Sequence, residues 1–212
     1  MALQQRFLLV ATTYGVSTRN RFISHPAPTG KLAVLLPGRD FSCDRPALFY
    51  LRQIALAAGY DVLCLQYGFQ VTGSDPAPAE TDQQARAEAS DALGQAMALR
   101  RYSEVCFVGK SMGTQVALAL AAEKVAEQQS AILLTPVWLG LGPYDGLRTL
   151  AVIGTADPVY GAPEYDAARE RNDAEWLVLE GVGHNLEHGA GWAHSLAALQ
   201  QVLQEAESFL RS

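Results

Sequence analysis

The stretch "VCFVGKSMGTQVALAL" (residues 105–120) decides how this chain is read. It runs from a β-branched apolar segment, through Ser111 with Gly109 two residues before it and Gly113 two after, into an alanine- and leucine-rich segment. One consequence is a strand that passes directly into a helix. A second is that G-x-S-x-G at such a junction is the pattern of a nucleophile elbow, where a strained turn holds the serine hydroxyl clear of the backbone. Glycines are required because the turn folds strand and helix together too closely for a Cβ. The same five letters also arise by accident, so other residues must supply what a nucleophilic serine needs.

A serine hydroxyl is a weak nucleophile near neutral pH; an imidazole must take its proton, and an acid must orient that imidazole. Both are expected at strand ends later in the chain. Asp157 ends "LAVIGTAD" (150–157) and precedes Pro158, while His184 follows "EWLVLEG" (175–181) in the glycine-rich "GVGHN" (181–185). Asp145 in "GPYDG" is the reserve acid, its alternative being a loop-tip aspartate. The N–H of Met112, just after the serine at a helix start, is one donor for a developing oxyanion.

Two competing chemistries use the same residues. "HNLEH" (184–188) matches the H-x-x-E-H zinc pattern, but its first histidine falls in a loop and little chain remains to offer a third ligand, so no metal is expected. His188 and His194 read as surface or half-buried helix residues. Lys110 invites a serine–lysine pair, yet neighbouring side chains at a strand end point to opposite faces, which leaves it a structural or electrostatic role.

Around the elbow, apolar β-branched runs recur at "KLAVLLPG" (31–38), "DVLCLQYG" (61–68), "EVCFVGK" (104–110), "AILLTPVW" (131–138), "LAVIGTAD" and "EWLVLEG". None alternates cleanly, the mark of parallel strands buried on both faces. Between them lie helical stripes: Leu48, Leu51, Ile54, Ala55 and Ala58 within 44–58, behind a possible Asp44 cap; Ala85, Ala89, Leu93, Ala96 and Met97 within 80–101; and Trp192, Leu196, Leu199, Leu203, Ala206 and Phe209 at the C-terminus. The elbow helix is expected over 112–127. Strand and helix alternate, which predicts a single α/β domain over residues 1–212 built on a doubly wound, mostly parallel sheet with helices on both faces. Ahead of that series, "RFLLVATTYG" and "RNRFISHP" read as an antiparallel pair at one edge. The Pro-rich "TGSDPAPAE" (72–80) reads as a loop.

From about residue 31 onward, with GKSMG as elbow, GTADP as acid turn and GVGHN as histidine loop, the chain resembles the α/β-hydrolases. The triad order Ser111, Asp157, His184 is the one that resemblance implies. "LLPGRD", "CDRPALFYLRQIALAAGYDVLCLQY" and "VGKSMG" are similar to a small hydrolase-like branch of mostly uncharacterised members, which also resembles a scaffolding subunit of chromatin complexes. The resemblance places a second oxyanion donor at the N–H of Arg39, after Gly38; Pro37 stands where histidine is more usual. It implies a serine esterase or thioesterase working through an acyl-enzyme, without cofactor. A non-catalytic binding or scaffold protein on this fold and a small serine peptidase are the alternatives.

Bulk properties narrow the partners. A net charge of -6 argues against a nucleic-acid surface, and no run of 18 apolar residues occurs, so a small-molecule acyl substrate is expected with neither nucleic acid nor stable membrane insertion. Cys43, Cys64 and Cys106 are odd in number and lack metal-ligand spacing, hence buried reduced thiols. With no leader pattern in "MALQQRFLLVATTYG", a cytoplasmic protein is expected. Only "LGLGPYDGLRT" (139–149) separates the strand after the elbow helix from the acid strand, too little for a lid. The site is then shallow, bounded by 69–79, 139–147 and 158–164, with Phe69, Trp138, Tyr144 and Tyr160 on its rim or packed as ordinary surface aromatics.

Overall fold

The computed structural model describes residues 2–137, 140–171 and 173–212. Among these, strands β1 (Gln4–Ala11), β2 (Ser17–Ser24), β3 (Lys31–Leu36), β4 (Asp61–Cys64), β5 (Glu104–Lys110), β6 (Gln128–Leu134), β7 (Arg148–Gly154) and β8 (Glu175–Leu179) form one sheet. Its order is β1-β2-β4-β3-β5-β6-β7-β8. From β4 to β8 all neighbours run parallel, while β1 and β2 add an antiparallel hairpin at the edge of β4. The helices are α1 (Pro46–Ala57), α2 (Gly68–Thr72), α3 (Pro78–Leu99), α4 (Met112–Ala122), α5 (Pro163–Arg171) and α6 (Trp192–Arg211).

Two cores explain why the strands lack alternation. Along β3, Ala33 and Leu35 face α1 and α6, in a cluster with Leu48, Leu51, Val202 and Phe209. Leu32, Val34 and Leu36 face α3 and α4, in a second cluster with Ala89, Leu93, Val116 and Leu120. Every position of such a strand meets a helix, so every position is apolar. The alanine stripe of α3, with Ala85, Ala89, Ala92 and Ala96 all fully buried, lets that long helix lie close against its neighbours.

Several expectations need correction. Asp44 does not cap α1: Arg45 is the capping residue, Pro46 opens the helix, and the Asp44 carboxylate instead accepts from Arg21 at 2.7 Å and Arg52 at 3.0 Å. Two guanidiniums hold the carboxylate more strongly than a helix N–H would. The stripe expected on α6 is displaced, since Trp192 and Leu196 are exposed and Ala198, Val202, Ala206, Phe209 and Leu210 carry the buried face. Residues 72–80 are loop only in part, because α3 already begins at Pro78. The elbow helix stops at Ala122, ahead of β6, and the short α2 and α5 carry no stripe by which the sequence could announce them. Residues 135–147 alone connect β6 to β7, which leaves the C-terminal edge of the sheet without a lid. No helix among the described residues is long and apolar enough to cross a membrane.

Candidate active site

Ser111 sits between β5 and α4 with φ 54° and ψ -121°, a backbone conformation that a side chain other than glycine's rarely adopts. Its neighbours enforce this. A Cβ on Gly109 would lie 2.6 Å from Gly113 O, and one on Gly113 would lie 2.1 Å from Leu36 O, so only glycines let β5, α4 and the end of β3 meet. Ser111 N–H donates to Leu134 O at 2.9 Å, and Ser111 O accepts from Thr114 N–H at 2.9 Å and Thr114 Oγ1 at 2.6 Å. With its backbone pinned, the side chain projects from the C-terminal edge of the sheet.

The histidine and acid loops arrive together. Thr155 N–H donates to Leu179 O, Ala156 N–H donates to Val182 O at 3.0 Å, and Gly181 N–H donates to Thr155 Oγ1 at 2.8 Å. These bonds tie the turn after β7 to the loop after β8. Across them, His184 Nδ1 lies 2.8 Å from Asp157 Oδ2, and His184 Nε2 lies 2.8 Å from Ser111 Oγ. Asp157 is buried and its other oxygen accepts from Val159 N–H at 3.0 Å. Burial works to raise its pKa, but the hydrogen bonds from His184 and Val159, with the charge of Lys110, outweigh burial and hold the carboxyl below the usual range. An ionised carboxylate only accepts, so Nδ1 carries the imidazole proton and Nε2 is left to accept from the serine hydroxyl. That arrangement can draw a proton from Ser111.

Lys110 does not face the serine hydroxyl. Its side chain is buried, donates to His184 O at 2.9 Å and lies over the Phe41 ring at 5.1 Å. Burial brings its ammonium down to about 8, partly opposed by attraction to Asp157. The role is therefore electrostatic and structural, as the strand geometry implied.

The remaining candidates separate cleanly. Asp145 is exposed beside Lys124 and Glu127, at the end of α4 away from Ser111. His188 lies in the loop before α6, not on a helix; its Nδ1 accepts from Ala190 N–H at 2.9 Å and its ring stacks on His194. Both ring nitrogens of His184 are already taken by Asp157 and Ser111, so the two histidines of "HNLEH" serve different partners. Of the rim aromatics, Phe69 stacks on Tyr67 and is buried, and Tyr144 is buried with its hydroxyl donating to Gly140 O, so both pack in the core and neither is an exposed rim residue. Tyr160 is exposed, and Trp138 lies outside the described residues.

Met112 opens α4, where the first N–H groups have no partner within the helix. Gly38 lies against the elbow: a Cβ there would meet Lys110 O at 3.2 Å and Ser111 Cβ at 3.3 Å. Gly38 and Phe41 bond each other's backbone in both directions, at 3.1 and 3.4 Å, closing a tight turn with Arg39 and Asp40 at its tip. The Arg39 side chain is drawn aside by Asp75 and by Thr81 Oγ1 at 3.3 Å. Gln70, which no sequence pattern singles out, donates to both Gly38 O and Arg39 O.

Comparisons with known proteins agree with this architecture. A protein of unknown function from Agrobacterium tumefaciens superposes with a TM-score of 0.75 at 15% identity, over 96% of this chain and 94% of its own. A lidless α/β serine hydrolase from Xanthomonas campestris gives 0.67 at 14%, over 98% and 92%. A dienelactone hydrolase from Anabaena variabilis gives 0.71 at 17%, over 97% and 96%. Likeness at this identity concerns the fold. No curated protein matches the chain in sequence. The model of the alpha/beta hydrolase family matches residues 33–209, most of the chain. The protein belongs to the alpha/beta hydrolase family, in its lidless form.

Proposed function

We propose that this hydrolase cleaves a carboxylic ester or thioester through an acyl-enzyme. The observation that carries the reading is the unbroken series from Ser111 Oγ through both nitrogens of His184 to the buried Asp157 carboxylate, 2.8 Å at each step. In it Ser111 attacks the acyl carbon while His184 takes the hydroxyl proton. Collapse of the tetrahedral species expels the alcohol or thiol, which receives that proton; water, activated by the same imidazole, then releases the acid. Asp157 keeps the imidazole in the required tautomer and stabilises it when charged. Backbone N–H groups of Met112 and Arg39 bind the oxyanion. No step calls for a metal or an organic cofactor.

Neighbours named a dienelactone hydrolase and, from Pyrococcus furiosus, an esterase favour esters over peptides. A net charge of -6 disfavours nucleic acid, and three free, buried cysteines suit a reducing cytoplasm. The test is a panel of p-nitrophenyl esters and acyl thioesters of increasing chain length. Saturable turnover by the wild type, lost in Ser111→Ala, is the expected result. A folded protein that turns over no member of the panel would favour a binding protein on this fold.

A further inference from the structure

The geometry points to Gln70 as a positioning residue that aims the Arg39 N–H at the oxyanion; the inference rests on the serine hydrolase reading. Its side-chain amide is engaged at every useful atom. Nε2 donates to Gly38 O at 2.8 Å and to Arg39 O at 3.2 Å, and Oε1 accepts from Tyr67 N–H at 3.1 Å. That pattern fixes which end of the amide is nitrogen, because two carbonyls can only accept and an N–H can only donate.

The consequence follows from the peptide unit. The Gly38–Arg39 bond is trans, so its C=O and N–H point in opposite directions across one plane. Gln70 belongs to α2, which follows β4, whereas Ser111 follows β5; in the sheet the order is β4-β3-β5, and the 38–41 turn follows β3, between them. Holding Gly38 O toward the β4 side therefore turns Arg39 N–H toward the β5 side, where Ser111 stands. Holding Arg39 O the same way turns the next N–H, of Asp40, in the same general direction. The turn's own bonds use only Gly38 and Phe41, and among the described residues the Arg39 N–H makes no hydrogen bond. Within the turn Gly38 O is held only by the long 3.4 Å bond from Phe41 N–H, so the 2.8 Å bond from Gln70 Nε2, with its second bond to Arg39 O, fixes from outside the turn the orientation of both tip peptides.

The substitutions are Gln70→Glu, which keeps size and the acceptor for Tyr67 but sets a carboxylate against two carbonyls, and Gln70→Met, which removes both functions without charge. Either variant, if folded with a wild-type melting profile, decides the matter. With p-nitrophenyl butyrate, kcat is expected to fall about 10- to 100-fold, the penalty of a misaimed catalytic group. KM should stay within about threefold, as for an interaction made only in the transition state. Affinity for an alkyl boronic acid, which forms a tetrahedral adduct on the serine, should fall by the same factor as kcat. A purely structural role would not link those two quantities. A kcat within about twofold of wild type, or a rise in KM with unchanged boronate affinity, overturns the inference. If the wild type itself neither hydrolyses the ester nor reacts at Ser111 with a fluorophosphonate, the hydrolase reading fails first and takes this inference with it.

Discussion

Lys110 Nζ donates to the backbone carbonyl of His184 at 2.9 Å, joining the residue before Ser111 to the loop that carries His184. This ammonium is buried and its affinity for a proton falls to about 8, against an ordinary value of 10.5. Between those values the unfolded chain binds more protons than the folded one, so stability contributed at this site rises with pH. Below about pH 8 the full cost of the buried charge is present. Lys110→Met lacks this titration. Urea denaturation at pH 7 and pH 10 should show wild type gaining on the variant by about 2–3 kcal/mol. Parallel behaviour at the two pH values would mean the ammonium is not desolvated as described.

The acid is tested by two asparagine substitutions. Asp157→Asn should lower kcat by up to about 10⁴-fold, because the histidine loses its tautomer and its charge partner. Asp145→Asn should leave kcat near wild type, since that side chain is exposed at the far end of α4. The reverse ranking in steady-state assays would move the acid to the turn after β6.

The histidines separate in the same way. His184→Ala should abolish turnover, whereas His188→Ala should cost little activity, its ring serving Ala190 N–H and the stack on His194. Dialysis against a strong chelator should leave activity intact. Equal losses at both histidines, restored by zinc, would contradict the assignment.

Backbone strain and close approach give opposite signs at different glycines and at the serine. Ser111→Gly should be more stable than Ser111→Ala by about 1 kcal/mol, since glycine adopts φ 54°, ψ -121° without the strain that a Cβ brings there. Gly154→Ala should destabilise by about 3 kcal/mol or more, because a Cβ there would lie 1.9 Å from Val182 O in the seam between the acid turn and the histidine loop. Gly94→Ala, in open space within α3, should instead stabilise by about 0.5–1 kcal/mol. Thermal denaturation of the four variants reads all three signs.

The sequence displays some parts of this arrangement and hides others for physical reasons. Ser111, Asp157 and His184 were legible because each belongs to a local turn whose glycines or proline sit at fixed offsets from a buried strand. Parallel strands were legible because burial on both faces leaves nothing but apolar residues. Asp44 looks like a cap because capping is a local pattern, whereas Arg21 and Arg52, which claim its carboxylate, come from another strand and a later helix turn. The α6 stripe was periodic along its whole length, and periodicity does not say that Trp192 and Leu196 run past the edge of the core. Gln70 was invisible for a similar reason: it acts on carbonyls some thirty residues earlier, from a five-residue helix with no pattern of its own.

The central claim is that Ser111 is an activated nucleophile, and the most direct measurement is peptide mapping by mass spectrometry after reaction with a fluorophosphonate. One adduct per chain, on Ser111 alone, absent from Ser111→Ala and strongly slowed in His184→Ala, is the expected result. A folded wild type left unmodified across pH 7–9, or an adduct on another serine such as Ser74 or Ser195, would contradict it.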